Sequence, residues 1–386
     1  MKILHTSDWH LGKNLYDFSI LNDQRHALDF LLELLSSEKI DAVIIAGDIY
    51  DRPVPSAEAV RLYDYFLTTA VTKLRVPVIA AAGNHDSKSR LEFGSKLYSE
   101  SGYHIFGTVK ADVGYVTLHD DFGQVRIYPV PWLHPAEMRV LLENPDIKTF
   151  DDAYRLLLEK ITIDENVRNI AVAHGFFARL GGSEAEKELI TSDSEINVGG
   201  MDIADSKYFA KFDYTALGHL HMPQRAGGEY VRYSGSLLKY SVSEERQKKS
   251  FTIIELHKKG DVKVTTMPIP ALRDVRSITG SFDELMEPDY HQNKNFDDYV
   301  FADVTDFGVL YPMEKLRTLF PNLLGLRFAL EPGAPEDFAL QSRSTAQIST
   351  LELFRRFYRD TYAEEMTAES LEFLTKVIQK SEVAGE

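Results

Sequence analysis

Cysteine is absent from the 386 residues, so disulfide staples, thiolate metal sites such as zinc fingers, and thiol catalysis are excluded together. No run approaches the ~18 consecutive apolar residues of a membrane span, and Met1-Lys2 leads into a strand-like segment rather than the apolar core of a signal peptide. A cytoplasmic location without a membrane partner is the expectation. Positive charge is also scarce: 43 Lys and Arg face 59 Asp and Glu, a formal net charge of -16. Chains that grip nucleic acid unaided usually present a basic face, so tight DNA binding by this chain alone is not expected. Tryptophan is rare, and Trp9 and Trp132 read as packing anchors rather than base-stacking platforms. Hydrophobic residues make up 44%, ample for a core, and the length calls for more than one domain.

The residues able to bind metals or move protons fall in order. Asp8 and His10, Asp48 and Asp51, Asn84 and His85, His174, and His219 with His221 follow the apolar runs 2–5, 42–46, 76–80, 169–173 and 214–217 respectively. Each run reads as a buried parallel strand. Ligands in α/β folds collect at the carboxyl ends of strands, so these ends can converge on one point. Such a set meets the demand of phosphodiester hydrolysis, in which two cations about 3.5–4 Å apart make a water nucleophilic and stabilise charge on the phosphoryl oxygens. Carboxylate, imidazole and amide oxygen donors suit Mn, Fe or Zn better than Mg or Ca. Asp48 is the natural bridge between the ions. In Asp8-Trp9-His10 and His219-Leu220-His221 the i, i+2 spacing sends both ligands to one side of an extended segment.

A single Asp or His in a loop is more often a cap or a solvated side chain, so the reading rests on the ordered set. Arg52 is placed to grip a substrate phosphate bidentately, with a surface salt bridge as the competing reading. His5 alternates with the apolar positions of the first run and reads as a partner of a ligand. His26, His104, His119, His134, His257 and His291 fit no motif position, and Gly181-Gly182 and Gly199-Gly200 read as turns.

The series Asp8-x-His10, Gly47-Asp48-Ile49-Tyr50-Asp51, Gly83-Asn84-His85-Asp86, His174 and Gly218-His219-x-His221 resembles the calcineurin-like metallophosphoesterase superfamily. The opening Met1-Lys2-Ile3-Leu4-His5-Thr6-Ser7-Asp8-Trp9-His10-Leu11-Gly12 is similar in particular to its DNA-nuclease branch. The resemblance implies that Asp8, His10, Asp48 and His221 hold one metal and Asp48, Asn84, His174 and His219 the other, with Mn2+ the expected ion. It implies that His85 stays off the metals and stabilises or protonates the departing oxygen. Asp51 takes the place of an acid that orients this histidine, where some relatives carry a histidine. A homodimer within a heterotetramer is implied too, with Leu62, Phe66, Leu97 and Tyr98 meeting their symmetry mates; membership of the monomer core fits those side chains equally well.

Amphipathic helices are expected at 21–37 and 56–73, the second with Ser56 as N-cap, and the alternation at 230–233, 250–256 and 261–265 reads as strands of a second sheet. The expected fold is α/β, a two-sheet sandwich flanked by helices over 1–270. A β-α-β-α-β pattern over 271–331 reads as a small α+β module, where the relatives carry a capping domain. A turn-rich linker covers 332–348. Beyond it, 349–386 reads as a helical pair opened by the capping-box residues Ser349 and Glu352, with Leu351, Phe354 and Tyr358, then Leu371, Leu374 and Ile378, at helical spacing. The resemblance makes this pair the segment that binds an SMC-like ATPase by helix-in-groove packing; docking back on its own domain is the plainer alternative. The expected activity is that of a two-metal DNA exonuclease and endonuclease, the nuclease subunit of an ATP-dependent DNA repair and recombination complex. A phosphatase or small-molecule phosphodiesterase of the same superfamily, or a metal-binding scaffold without turnover, are the alternatives.

Overall fold

The computed structural model describes residues 1–181, 189–193, 203–291, 295–306 and 308–328, with scattered positions from 351 to 375. The apolar runs form strands Lys2–Thr6, Ala42–Ala46, Val78–Ala81, Arg168–His174 and Tyr214–Gly218. Almost every residue in them is buried, so both faces of each strand are covered, as in parallel strands sandwiched between layers. The first three are parallel neighbours in a six-stranded sheet. Tyr103–Phe106 extends it at one edge, and the antiparallel pair Ser250–Leu256 and Val262–Pro268 at the other.

The remaining two runs lie side by side in a second six-stranded sheet. It is completed by the hairpin Val116–Asp120 and Gly123–Val130 and by Val231–Tyr233 and Gln224–Gly228. Strands 250–256 and 262–268 therefore belong to the first sheet, not to the second as their alternation suggested. Ser250–Leu256 pairs along the whole free edge of the first strand and is buried on both faces.

Ile3, Ile44 and Ile79 of the first sheet meet Ile127, Val172 and Ala216 of the second in an apolar layer between them. Helices Leu21–Ser37 and Ala57–Leu67 cover the outer face of the first sheet, and Pro135–Leu141 and Phe150–Lys160 that of the second. Ser56 caps its helix as expected, accepting from the Ala59 N–H at 3.2 Å. Leu62 and Phe66 are 4% and 0% exposed in the monomer core, so they are unavailable to a symmetry mate; Leu97 and Tyr98 are exposed.

Strands Val275–Gly280, Tyr299–Val304 and Leu323–Phe328 form a small parallel sheet. Helices Phe282–Met286 and Pro312–Arg317 pack on it around Leu285, Val300, Leu316 and Phe320. Buried Asp23 of the first helix locks this sheet to the larger body, accepting from Arg273 Nε at 2.9 Å, Arg273 Nη2 at 2.6 Å and Tyr299 Oη at 3.0 Å. Residues Met1–Phe328 make one compact unit and Ala329–Glu386 a second. In the second unit positions 351, 354, 355, 358, 370, 371 and 373–375 are helical, and Thr367 Oγ1 accepts from the Ser370 N–H at 3.2 Å as a cap. The linker 332–348, Ser349, Glu352, Ile378, Gly182 and Gly199-Gly200 lie outside the described residues. No helix among the described residues is long and apolar enough to cross a membrane.

Candidate metal centre

Each expected donor stands at or just beyond a strand end, and the route there is strained. Asp8, His10, Asp48 and His219 have φ of 52, 43, 50 and 112°. Such left-handed backbone costs a non-glycine residue ~1–3 kcal/mol and persists only where its surroundings enforce it. The two i, i+2 pairs therefore converge through left-handed turns and not by strand alternation. Main-chain bonds hold the turns: Asp8 N–H to Gly47 O at 3.0 Å and His10 N–H to Asp48 O at 3.0 Å. The His219 N–H donates to the Asp8 carboxylate at 3.0 Å. Gly47, with φ 91°, is required here, because a Cβ would stand 2.2 Å from His174 Nδ1.

The donors gather around two adjoining points. His10 Nε2 faces His221 Nε2 at 3.2 Å and lies 3.7 Å from Asp48 Oδ2. His174 Nε2 lies 3.3 Å from the same Asp48 oxygen and 2.9 Å from Asn84 Oδ1, which is 3.2 Å from His219 Nδ1. Donor atoms of Asp8, His10 and His221, and of Asp8, Asp48 and His174, fall within 4.8 Å of one another in each group. A carbonyl only accepts, so His174 Nδ1 donates to Ala46 O at 2.7 Å and leaves Nε2 for the cluster.

The electrostatics suit cations. Burial, helped by neighbouring His221 and His85, holds His10 well below the usual imidazole range against the pull of Asp48, and burial with His174 lowers His219 to about 3. Both rings are neutral and offer lone pairs. Burial also works against a charge on His174, but ionised Asp48 outweighs it and raises that ring to about 9. Asp48 stays well below the carboxylate range because His174 and His10 overcome its burial, while burial pushes Asp8 up despite His174 and His221. Metal ligands must be deprotonated: His10, His219 and Asp48 already meet that condition, while His174, held protonated by Asp48, gives up its proton when a cation takes its place beside that carboxylate. His10 Nδ1 is buried without a hydrogen-bond partner among the described residues. The residues present thus fit a pair of divalent cations.

Residues 1–223 match the family of calcineurin-like phosphoesterases. The chain belongs to that family. A second family, described as type 5 capsule protein repressor C-terminal domain, matches residues 271–362. The phosphoesterase is 28% identical to the SbcD subunit of the nuclease SbcCD from Staphylococcus epidermidis, over 98% of this chain and 99% of that one. Among solved structures, TT1561 of Thermus thermophilus is 14% identical over 70% of this chain and 99% of its own, with a TM-score of 0.41. Yfce, a phosphoesterase from E. coli, is 13% identical over 70% of this chain and 100% of its own, with a TM-score of 0.27.

Other expected residues of this phosphoesterase are placed as follows. His85 Nδ1 donates to the main-chain carbonyl of Asp51 at 2.9 Å, and the His85 N–H donates to Asp48 Oδ1 at 2.8 Å. The expectation that the Asp51 side chain orients His85 is corrected in part: the carbonyl makes the bond. The Asp51 carboxylate instead takes Lys13 Nζ at 3.0 Å and lies 3.7 Å from His10 Nδ1. Arg52 is 78% exposed, its Nε 3.5 Å from Asp51 Oδ2. Among the described residues His5 is hydrogen-bonded to none of the expected ligands; it bridges the sheets, bonded to Tyr214 Oη and Leu217 O, each at 3.1 Å. Trp9 is buried edge-on against Tyr63 and Phe66, and the Trp132 N–H reaches Ala82 O at 2.8 Å.

Two carboxylates escaped the sequence reading. Asp86 accepts from the N–H groups of Ile49, Tyr50 and Gly83 at 3.1, 3.0 and 2.9 Å and so ties two ligand loops together. Glu244 accepts from His221 Nδ1 at 3.2 Å and Lys249 Nζ at 2.6 Å. Burial opposes its ionisation, but those two partners hold it well below the ordinary carboxylate range. Asp86 closes the Gly83-Asn84-His85-Asp86 motif, yet nothing there marked its three backbone partners. Glu244 lies in no motif.

Proposed function

We propose that this phosphoesterase is a two-metal DNA phosphodiesterase, exonuclease and endonuclease, acting as the nuclease subunit of an SbcCD-type complex in DNA repair and recombination. The observation that carries the reading is the convergence of Asp8, His10, Asp48, Asn84, His174, His219 and His221 on two adjoining points with Asp48 between them. Likeness to an SbcD nuclease subunit along almost the whole chain supports DNA as the substrate.

In this reading Asp8, His10, Asp48 and His221 hold one ion, and Asp48, Asn84, His174 and His219 the other. Mn2+ is the ion proposed, since it accepts imidazole beside carboxylate and amide oxygen, a mixed set that Mg2+ and Ca2+ take less readily. When bound, such a pair supplies an acidified water and positive charge against the phosphoryl oxygens. The chain's own residues do the rest. His85, whose Nδ1–H is tethered by the Asp51 carbonyl, turns Nε2 to the substrate side, where the imidazolium form would pass its second proton to the departing oxygen and return to the neutral ring. Lys13 neutralises Asp51, and exposed Arg52 meets a DNA phosphate. With a net charge of -16 the chain depends on its partner for grip. That partner is an SbcC-type SMC-like ATPase docked on the helical segments beyond 349, and the subunit pairs with a second copy through the face carrying Leu97 and Tyr98.

Cleavage of end-labelled duplex and hairpin DNA, compared in Mn2+ and Mg2+ with and without the ATPase, tests the reading. Cleavage in Mn2+ that a chelator abolishes is expected. Intact DNA beside rapid hydrolysis of short soluble phosphoesters would transfer the site to a phosphatase.

A further inference from the structure

We infer that Glu244 is a positioning residue of the metal centre: its carboxylate fixes the ring of His221 so that Nε2 is presented to the ion held with Asp8 and His10. The inference rests on the two-metal reading above.

Glu244 ends the short turn Val242–Glu244 and is 0% exposed. One carboxylate oxygen faces His221 Nδ1 at 3.2 Å and Ser192 Oγ at 3.1 Å. The other faces Lys249 Nζ at 2.6 Å and the Tyr240 N–H at 3.2 Å. An ammonium and a backbone N–H only donate, and a carboxylate so surrounded only accepts. His221 Nδ1 must therefore carry its hydrogen, which leaves the lone pair on Nε2, the atom that faces His10 Nε2 at 3.2 Å. The rest of His221 is clamped as well. Its carbonyl accepts from Lys249 Nζ at 2.8 Å and the Ser236 N–H at 3.0 Å, and Tyr240 stands edge-on to its ring with centroids 5.7 Å apart. Lys249 thus holds both the ligand and the group that orients it.

Glutamine in place of Glu244 keeps the shape and breaks the logic. Its amide nitrogen must face either His221 and Ser192 or Lys249 and Tyr240, and each pair needs an acceptor. The effect should be confined to one ion, because Glu244 reaches the centre through His221, whereas Asn84, His174 and His219 gather at the other point. Removal of such an orienting partner typically weakens metal affinity 10- to 100-fold, roughly the change expected here.

The test is calorimetric titration of Mn2+ into the full chain for wild type, Glu244→Gln and Glu244→Asp, with melting of each metal-free protein alongside. Glu244→Gln should weaken one of two binding events at least tenfold and leave the other unchanged, with melting close to wild type. Glu244→Asp, whose shorter carboxylate reaches His221 poorly, should fall between, and it decides the matter if the glutamine variant does not fold. Wild-type affinities for both ions in a folded variant would overturn the inference, as would equal weakening of both ions together with a lowered melting temperature. A wild-type chain that takes up no pair of ions would overturn the metal reading itself, a distinguishable result.

Discussion

Gly218→Ala is a sharp test of how the two sheets build the site. A Cβ on Gly218 would stand 1.9 Å from the carbonyl oxygen of Ala46 and 2.9 Å from His174 Nδ1. The first of these is main chain at the end of a central strand of the neighbouring sheet and cannot swing aside, so the strand ends must part by roughly 1 Å, an overpacking that costs about 1–3 kcal/mol. The same carbonyl holds His174 Nδ1 at 2.7 Å, and losing that bond adds about 1 kcal/mol. The sum, on the order of 3 kcal/mol, is a large share of the ~5–15 kcal/mol by which domains are stable. Urea unfolding of the metal-free protein reads the stability, provided the two unfolding slopes agree. Titration with Mn2+ reads the second consequence, a loss of affinity of about tenfold or more as His174 loses its anchor. A stability loss below about 1 kcal/mol with wild-type ion affinity would refute the reasoning.

His85→Ala should lower kcat on duplex DNA by roughly 10²- to 10⁴-fold while both ions still bind, measured by single-turnover cleavage and calorimetry; unchanged turnover would remove His85 from the chemistry. Asp23→Ala strips Arg273 and Tyr299 of their acceptor and should cost about 3 kcal/mol in urea unfolding, with the small parallel sheet protected least in hydrogen exchange. The Arg168 guanidinium, bonded to Asp120 at 2.9 Å, outweighs burial and holds the Asp120 carboxyl well below its usual range. Its contribution is therefore fully present above the ordinary carboxylate pKa of ~3.9 and is lost as pH falls through the depressed value. The stability gap between wild type and Asp120→Asn should be constant near neutrality and close in acid; a gap independent of pH would count against the ion pair.

The frame was legible because its signals are local. Leu21–Ser37 forms over the range its apolar periodicity marks, Ser56 caps the next helix, and the buried runs at 42–46 and 214–217 become strands of the two sheets. What the sequence hid depends on distant neighbours. Alternation at 250–256 could not say which sheet the strand joins, because the free edge of Lys2–Thr6 decides it. The left-handed turns at Asp8, His10, Asp48 and His219 run against residue preference and are imposed by the surrounding bonds. Leu62 and Phe66 fitted a partner or the monomer core equally well, because helical spacing does not reveal that the first sheet lies beneath them. Asp86 and Glu244 act through a backbone and a ring that only the folded chain brings near.

The central claim is that side chains from separate strand ends gather two cations. A crystal grown with Mn2+ and measured at the manganese edge tests it most directly. The account predicts two anomalous peaks about 3.5–4 Å apart, one beside Asp8, His10 and His221, the other beside Asn84, His174 and His219, with Asp48 touching both. A single peak elsewhere, or none between these residues, would contradict it.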